Sequence, residues 1–386
     1  MKKFYLFEEE EYRSRWQKCQ QEMEKEGLDV LVLSQHTNLF YMSGYRTHLR
    51  DSNFRPFICV LPKDGEPTLV VPRLEEPSAK KESWFNKVRI WGAGGEAKDA
   101  VELLEKVFKD ENLVNCTVGM ELDTGQRLGM EQSMFNAFRD SLNNCQIKSC
   151  SGLMWKLRRV KSKKEIEYMK EACRITDVSF NAVVKAIKVG MNEKEIRKIM
   201  GRTMLDEGAD LDGFIVVYSG KDRYDMANPW PVDIKLEKGD MCVLDFGAVY
   251  NNYWADVTRG IFIAPISDRQ KELYEAILKI HDAALEMAKP GIPVEEIDKA
   301  ALRKTKEMGY EDLAFHRTGH SLGLDIHEIP SVAEPDKTIM EPGMCFAIEP
   351  GIYDYSAGKF RIEDDIVITE NGFEYLTSCS REVIVK

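Results

Sequence analysis

The sequence has 386 residues, of which 43% are hydrophobic, and this supplies enough apolar side chains for two domains with separate cores. Its formal net charge of −11 argues against a nucleic acid or an anionic membrane as a partner. No apolar run approaches the roughly 20 residues that span a bilayer, and the amino-terminal segment is too charged for a secretion signal. The nine cysteines include no C-x-x-C pair. Together these features predict a cytoplasmic protein with reduced thiols.

The first part of the chain alternates helical and strand patterns. A charged, amphipathic stretch from about residue 10 ends at Gly27, as helices commonly do. The apolar run LDVLVL then predicts a buried strand that leads into a turn over residues 38–44, and FICVLPKDGEPTLVVP predicts two strands joined at Asp64-Gly65. Three more elements are predicted: a helix over 97–109, a strand at VGMEL and a helix over 125–141. We therefore predict an α/β amino-terminal domain over residues 1–155.

The second part begins after the basic stretch LRRVKSKKEIEYMK and carries clear helix-start signals. Four helices are predicted: from the capping box Ser162/Glu165 to about Lys188, from Asn192/Glu195, from Ser267/Gln270 to Pro290-Gly291, and from Pro293 to Gly309. The segments 213–263 and 313–384 are rich in strand patterns. We predict an α+β domain over residues 156–386, with helices packed on one face of an antiparallel sheet.

A short pattern recurs within this second part. Gly239, Asp245 and Gly247 are followed 104 positions later by Gly343, Glu349 and Gly351, each set in a strand that carries an acid followed by x-Gly. The repeat arises either by chance or because the domain consists of two similar halves. In the second case, both halves present acids to one central site.

The segment VLDFGAVYNNYWADVTRGIF predicts a β-hairpin with two acids on one face. Asn251-Asn252 suits a type I′ turn because asparagine tolerates positive φ, and this turn pairs Asp245 with Thr258. Asp245 and Asp256 then lie diagonally across two strands, with their Cβ atoms about 7–8 Å apart or less. Their carboxylates are then close enough to share metal ions. The alternative is that both are ordinary acids on an exposed face.

Further candidate ligands follow near the carboxyl end. His316, His320 and His327 fall within twelve residues, and Glu349 and Glu363 interrupt apolar strands. Buried acids are costly without a cation, so four acids and one imidazole at one place predict a site for two divalent metals. A carboxylate-rich donor set suits Mn²⁺, Co²⁺, Fe²⁺ or Zn²⁺. Single histidines are more often structural than ligating, and this alternative stays open for each of the three.

The order D-x10-D, GHSLGLDIHE, IEPGIY and RIEDD resembles the pita-bread metallopeptidases, which include methionine aminopeptidase, aminopeptidase P, prolidase and creatinase. LDVLVLSQHTNLFYMSGY is similar to the amino-terminal domain of the creatinase, prolidase and aminopeptidase P branch, and LRRVKSKKEIEYMKEA to its domain junction. The resemblance therefore covers nearly the whole chain. It implies a pseudo-twofold pita-bread catalytic domain, with an antiparallel sheet and covering helices, behind a smaller α/β domain.

The resemblance also implies roles for individual residues. Asp245 would chelate one metal ion, Asp256 and Glu363 would bridge two, and His320 and Glu349 would complete the coordination of the second ion. A metal-bridging hydroxide would attack the bond before proline. Glu349 would also carry the proton, His327 would stabilise the tetrahedral intermediate and Arg361 would orient substrate or ligands.

Two positions depart from the family pattern. Peptidases of this type carry a histidine in the segment before the first ligand strand, where this chain has Ala227, and no histidine lies between residues 49 and 280. Some prolidases carry an arginine after the HExP element, where this chain has Ser331. The metal centre is thus implied more firmly than the peptide specificity.

Three functions are compatible with these residues. The first is a Xaa-Pro dipeptidase or aminopeptidase. The second is a creatinase-like C–N hydrolase or lyase for a small zwitterionic carboxylate, favoured by Ala227 and by the arginines Arg46, Arg50 and Arg55, which would reach the active site of a homodimer partner and hold a carboxylate. The third is a non-catalytic binding protein. His316 and Trp230 are further candidates for substrate contact, although core packing is an alternative for the tryptophan.

Overall fold

The structure is a computed structural model that describes residues 2–51, 55–92, 97–142 and 144–386. It divides into two compact units, one up to Arg158 and one from Arg159 to Lys386. Within the described ranges, no helix combines the length and the apolar character needed to cross a bilayer.

The first unit contains a mixed six-stranded sheet with helices. Its helices are α1 (Glu9–Glu26), α2 (His36–Ser43), α3 (Glu76–Glu82), α4 (Ala97–Asp110), α5 (Gln132–Ser141) and α6 (Ser151–Arg158). Its strands are β1 (Val30–Leu33), β2 (Ile58–Pro62), β3 (Thr68–Pro72), β4 (Lys87–Trp91), β5 (Thr117–Met120) and β6 (Gln146–Ser149). The sheet order is β4-β3-β2-β1-β5-β6, with β1–β2 and β2–β3 antiparallel and the other pairs parallel. The predicted α/β class is confirmed.

Local predictions in this unit hold where capping or turn residues are present. Helix α1 ends at Gly27, whose φ of 64° is accessible to glycine, and Cys59 pairs with Leu69 in the predicted hairpin. The predicted turn over 38–44 was wrong, because these residues belong to α2, which ends at Gly44. The Glu121 carboxylate accepts hydrogen bonds from the backbone N–H groups of Ser34 and Gln35 at the start of α2, a long-range contact that no local pattern reveals.

The second unit contains four helices and twelve strands among its described residues. The helices are α7 (Lys163–Ala186), α8 (Glu193–Asp206), α9 (Asp268–Leu285) and α10 (Glu295–Glu307). The strands are β7 (Leu211–Ser219), β8 (Met241–Tyr250), β9 (Tyr253–Trp254), β10 (Val257–Phe262), β11 (Gly319–Ser321), β12 (Glu328–Val332), β13 (Cys345–Ile348), β14 (Gly351–Asp354), β15 (Gly358–Arg361), β16 (Asp364–Thr369), β17 (Gly372–Tyr375) and β18 (Ile384–Val385). The capping boxes at Ser162, Asn192 and Ser267 are present as predicted.

Two sheets form the centre of this unit, and their strand pairs are antiparallel except β10–β18, which is parallel. The first has the order β18-β10-β8-β7, with β9 paired to β8, and the second has the order β12-β11-β13-β16-β17; β14 and β15 form a separate hairpin. Strand β8 is buried on both faces. Its residues Leu244 and Phe246 pack in a core with α7 and α8, while Met241 and Val243 pack in the core that contains α9 and α10. Asp245 continues the second series, so its side chain lies on the face opposite α7 and α8.

The two halves of this unit repeat one local design. Gly239 and Gly343 precede β8 and β13, with φ angles of 90° and 92°. Their N–H groups donate to the carbonyls of Ile263 and Ile368, which lie at corresponding ends of the strands that pair with β8 and β13. The recurrence seen in the sequence therefore corresponds to the same local backbone geometry before two strands, each of which leads to an acid.

One buried histidine in the second unit leads to a stability prediction. Burial lowers the pKa of His281 to about 4, its Nε2 lies 3.1 Å from the Ile348 carbonyl oxygen, and Arg381 donates to its Nδ1. Because the unfolded chain binds this proton with a pKa near 6.5, stability is lost as the pH falls from about 6.5 towards 4, by up to about 3 kcal/mol.

We expect His281→Gln to remove most of this acid dependence. The measurement is urea unfolding of both proteins in metal-free buffer between pH 7.5 and 4.5. An unchanged slope of unfolding free energy against pH in the variant would contradict a neutral buried imidazole.

Candidate metal centre

The β8–β10 hairpin brings two of the predicted ligands together. Asn251 and Asn252 have φ angles of 50° and 67°, as a type I′ turn requires, and Asp245 pairs with Thr258 as predicted. A side chain at Gly247 would approach the Ala255 carbonyl oxygen to 1.6 Å, so only glycine permits this close approach of the strands. The sequence-based register of the hairpin is confirmed.

The remaining candidate ligands come from the second sheet and its connections. His320 lies on β11 opposite Ala347, and Glu349 follows β13, with its N–H donating to the Thr318 carbonyl at 2.7 Å. Glu363 lies between β15 and β16 and forms an isolated antiparallel bridge with Thr258. The bridge joins the two sheets at the point where the acids meet.

The acids and the imidazole converge within a few ångströms. His320 Nε2 lies 3.5 Å from Asp256 Oδ2 and 3.6 Å from Glu349 Oε1. Asp256, His320 and Glu363 each offer a donor atom within 4.8 Å of the others, and all three are buried. The structure thus places Asp256, His320, Glu349 and Glu363 around one point.

Arg361 connects the fifth candidate ligand to this group. Its guanidinium contacts the Asp245 carboxylate directly and lies 3.4 Å from Glu349 and 3.8 Å from Glu363. It also donates to Thr258 Oγ1 at 2.9 Å. Burial alone would lower the pKa of Arg361, but Asp245 and the other acids keep the pKa well above its ordinary value. The guanidinium is therefore a fixed cation among the carboxylates.

The electrostatics of the site indicate that positive charge is needed there. Burial, and then repulsion between neighbouring acids, raises the pKa values of Asp256 and Glu363 well above their ordinary range. Burial lowers the pKa of His320 to about 3, so at physiological pH the imidazole is neutral and its nitrogen is able to ligate a metal ion. Asp256 Oδ1 has no hydrogen-bond partner among the described residues. A divalent cation would satisfy this orphaned oxygen and the crowded carboxylates, so the donor set fits metal.

The predicted substrate residues occupy different surroundings. The ring centroids of His327 and His320 are 4.3 Å apart, whereas His316 Nε2 is hydrogen-bonded to the Tyr353 hydroxyl. Trp230 is 81% exposed, so the core-packing alternative does not apply to it. Arg46 and Arg50 lie in the first unit, after α2, with Arg50 in a short 3₁₀ helix (His48–Asp51).

At both departures from the family pattern, the residue present accepts a hydrogen bond from a basic side chain. The backbone carbonyl of Ala227 accepts a hydrogen bond from Lys359 at 3.3 Å. The hydroxyl of Ser331 accepts one from Arg317 at 3.1 Å. Neither cation follows from the local sequence pattern, because the contacts join residues 132 and 14 positions apart.

Two supporting groups around the ligands were also missed from the sequence. Lys161 and Glu328 form a fully buried ion pair at 3.0 Å. The Glu328 carboxylate also accepts hydrogen bonds from the N–H groups of Leu324 and Asp325, which fixes the turn before His327. Arg259 donates to the carbonyl oxygen of Glu363 at 2.7 Å. In the sequence, these residues were visible only as charged positions next to an apolar strand or a candidate ligand.

Comparison with known proteins agrees with this geometry. The model of metallopeptidase family M24 matches residues 167–370, and the creatinase/prolidase amino-terminal domain matches residues 15–160. The chain belongs to metallopeptidase family M24. The amino-terminal match confirms the predicted branch of creatinase, prolidase and aminopeptidase P. Family membership makes divalent metal ions part of the chemistry of this centre.

Relatives of this M24 chain match it over nearly its whole length. The Xaa-Pro dipeptidase of Pyrococcus furiosus is 32% identical, with 96% of this chain and 100% of that protein covered. The structure of a Xaa-Pro dipeptidase from Bacillus anthracis superposes with a TM-score of 0.87 at 28% identity, covering 97% of this chain and 100% of that one. An X-Pro aminopeptidase from Thermotoga maritima has a TM-score of 0.84 at 29% identity, covering 96% and 99%. The predicted pita-bread fold is confirmed.

Proposed function

We propose that the protein is a metal-dependent Xaa-Pro peptidase. The observation that carries this proposal is the buried group of Asp256, His320 and Glu363, whose crowded acids need cations, in a chain of family M24. Relatives named as Xaa-Pro dipeptidases and an X-Pro aminopeptidase support a substrate with proline after the scissile bond. The comparisons do not favour the alternative of a creatinase-like hydrolase or lyase.

Five residues would hold two divalent ions. Asp245 would bind one ion, Asp256 and Glu363 would bind both, and His320 and Glu349 would bind the other. This assignment follows the family resemblance, and the short distances among Asp256, His320, Glu349 and Glu363 support it. Mn²⁺, Co²⁺, Zn²⁺ and Fe²⁺ all suit such donors. Bound ions of this kind polarise a substrate carbonyl and acidify water.

The chain's own residues would supply proton transfer and positioning. Burial raises the pKa of Glu349, so this carboxyl is able to hold and release a proton nearer neutrality. Burial lowers the pKa of His327, which leaves a neutral imidazole beside His320 that is able to donate a hydrogen bond to a developing oxyanion. Arg361 would hold Asp245 in its binding orientation through their direct contact.

The remaining assignments extend this proposal. His316 and Trp230 would contact the substrate. A homodimer in which Arg46 and Arg50 reach the partner's site, and a cytoplasmic location, follow from the resemblance and from the composition of the chain.

The proposal predicts strict metal dependence. Protein stripped by chelation is expected to lose more than about 99% of its Xaa-Pro dipeptidase activity, and Mn²⁺, Co²⁺ or Zn²⁺ is expected to restore it at two ions per chain. The measurement is dipeptide hydrolysis beside elemental analysis of metal content. Full activity with no detectable metal would exclude the proposed chemistry, and hydrolysis confined to small non-peptide carboxylates would exclude the proposed substrate.

A further inference from the structure

Lys359 is a buried cation near the metal centre that the proposed chemistry does not use. Lys359 is only 7% exposed, and its Nζ donates hydrogen bonds to the carbonyl oxygens of Met226 at 2.9 Å and Ala227 at 3.3 Å. Among the residues that the structure describes, no carboxylate lies within ion-pair distance of this amine. A buried ammonium without a carboxylate in direct contact is costly. Burial, followed by the nearby Arg361, lowers the pKa of Lys359 to about 8, against the opposing effect of Asp245 and Asp225.

The position of Lys359 places its charge beside the ligands. On β15, Lys359 and Arg361 are two residues apart, so both side chains lie on the same face of the strand. Arg361 contacts Asp245 on that face. The amine also lies 5.0 Å from the ring centroid of Tyr353, whose hydroxyl is hydrogen-bonded to His316.

The contacts of Lys359 leave one of its N–H donors without a hydrogen-bond acceptor among the described residues. An ammonium has three donors, and the two carbonyl contacts use two of them. Both carbonyls belong to the segment where the family's histidine is replaced by Ala227, so the lysine supplies positive charge at the place that lacks the imidazole. What this amine lacks among the described residues is an anionic acceptor in direct contact.

We propose that Lys359 binds the carboxylate of the residue that follows the scissile bond, so that free Xaa-Pro dipeptides are preferred over longer or amidated peptides. A dipeptide places this carboxylate about one residue from the scissile carbonyl, within roughly 4 Å of it. The inference rests on the proposed function and narrows its substrate class. It separates a dipeptidase from an aminopeptidase, which the relatives' names leave open.

The experiment compares Ala-Pro with Ala-Pro-amide, using metal-loaded wild type, Lys359→Met, Lys359→Arg and Lys221→Met. Lys221 is an exposed lysine in the preceding part of the same loop and is the matched control. We expect wild type to prefer the free acid, and Lys359→Met to lower kcat/KM for the acid by about 10–100-fold through KM, with little change for the amide. Lys359→Arg is expected to keep the preference and Lys221→Met to behave as wild type.

Two results would overturn the proposal. Equal kcat/KM values for acid and amide in wild type would show that no carboxylate is recognised. An equal loss for both substrates in Lys359→Met would show that the lysine only anchors the Met226–Ala227 segment.

Binding of the product tests Lys359 without any hydrolysis. L-proline is expected to raise the Tm of wild type and of Lys359→Arg, whereas L-prolinamide is not, and Lys359→Met is expected to lose the response to proline. If neither peptide is cleaved, the proposed function fails while this comparison still decides the role of Lys359. No Tm response of wild type to proline would refute the carboxylate site.

Discussion

Asp256→Asn is expected to abolish Xaa-Pro hydrolysis, with kcat falling by at least about 10³-fold, and to lower metal binding to one ion per chain or less. Asp256 lies 3.5 Å from His320 and is one of the three buried residues whose donor atoms converge. Its Oδ1 has no hydrogen-bond partner among the described residues, and a bound cation would supply one.

The same substitution is expected to stabilise the metal-free protein. The pKa of Asp256 is raised by burial and by Glu363, so ionising this acid in the folded state is costly. Since the unfolded chain ionises near pH 4, the advantage of asparagine is small at pH 4 and grows to about 1–3 kcal/mol at neutral pH. Urea unfolding with excess chelator, at pH 4.5 and 7.5, measures the difference.

Asp240→Asn is a suitable control, because Asp240 directly precedes β8 and lies outside the ligand group. It is expected to retain two ions and wild-type kcat. A fully active Asp256→Asn protein that binds two ions would contradict the bridging role.

Arg361→Met is expected to act in the opposite direction on stability. The guanidinium contacts Asp245 and lies 3.4 Å from Glu349, so its loss leaves buried carboxylates uncompensated. We expect the metal-free variant to lose about 3–5 kcal/mol of unfolding free energy. With metal bound, we expect kcat to fall by about 10²–10³-fold, because a fixed cation no longer orients Asp245.

Arg361→Lys separates charge from geometry. The lysine keeps the charge but not the planar fork, so the metal-free protein is expected to recover most of its stability while kcat stays low. Calorimetric metal titration and dipeptide kinetics on the same preparations provide the comparison. If Arg361→Met unfolded at wild-type urea concentration in chelator, the guanidinium would not be the cation that balances these acids.

The parts of the fold that the sequence predicted correctly were those fixed by local chemistry. The asparagine pair at 251–252 permits only certain turns, and this set the register that joins Asp245 to Thr258. The capping boxes at Ser162 and Ser267 likewise determine where helices begin. Such signals lie within a few residues of the element that they define, so one sequence is enough to read them.

The parts that were missed depend on contacts between distant residues. Glu121 supports the start of α2 from 87 positions beyond Ser34, and α2 is the helix that lies where the sequence predicted a turn at 38–44. Lys161 reaches Glu328 across 167 positions, and Lys359 reaches Met226 across 133. The acids of the metal centre were visible because charge inside apolar strands is unusual, whereas the cations that surround them were not.

The isolated bridge between Thr258 and Glu363 is a backbone connection beside the metal centre, and bound cations would add a second connection at the same place. Asp256 is attached to the first sheet, and His320 lies in the second, so cations shared by these side chains would cross-link the two sheets. Each half alone carries an incomplete set of donors. A centre with this division of donors therefore exists only where the two sheets meet.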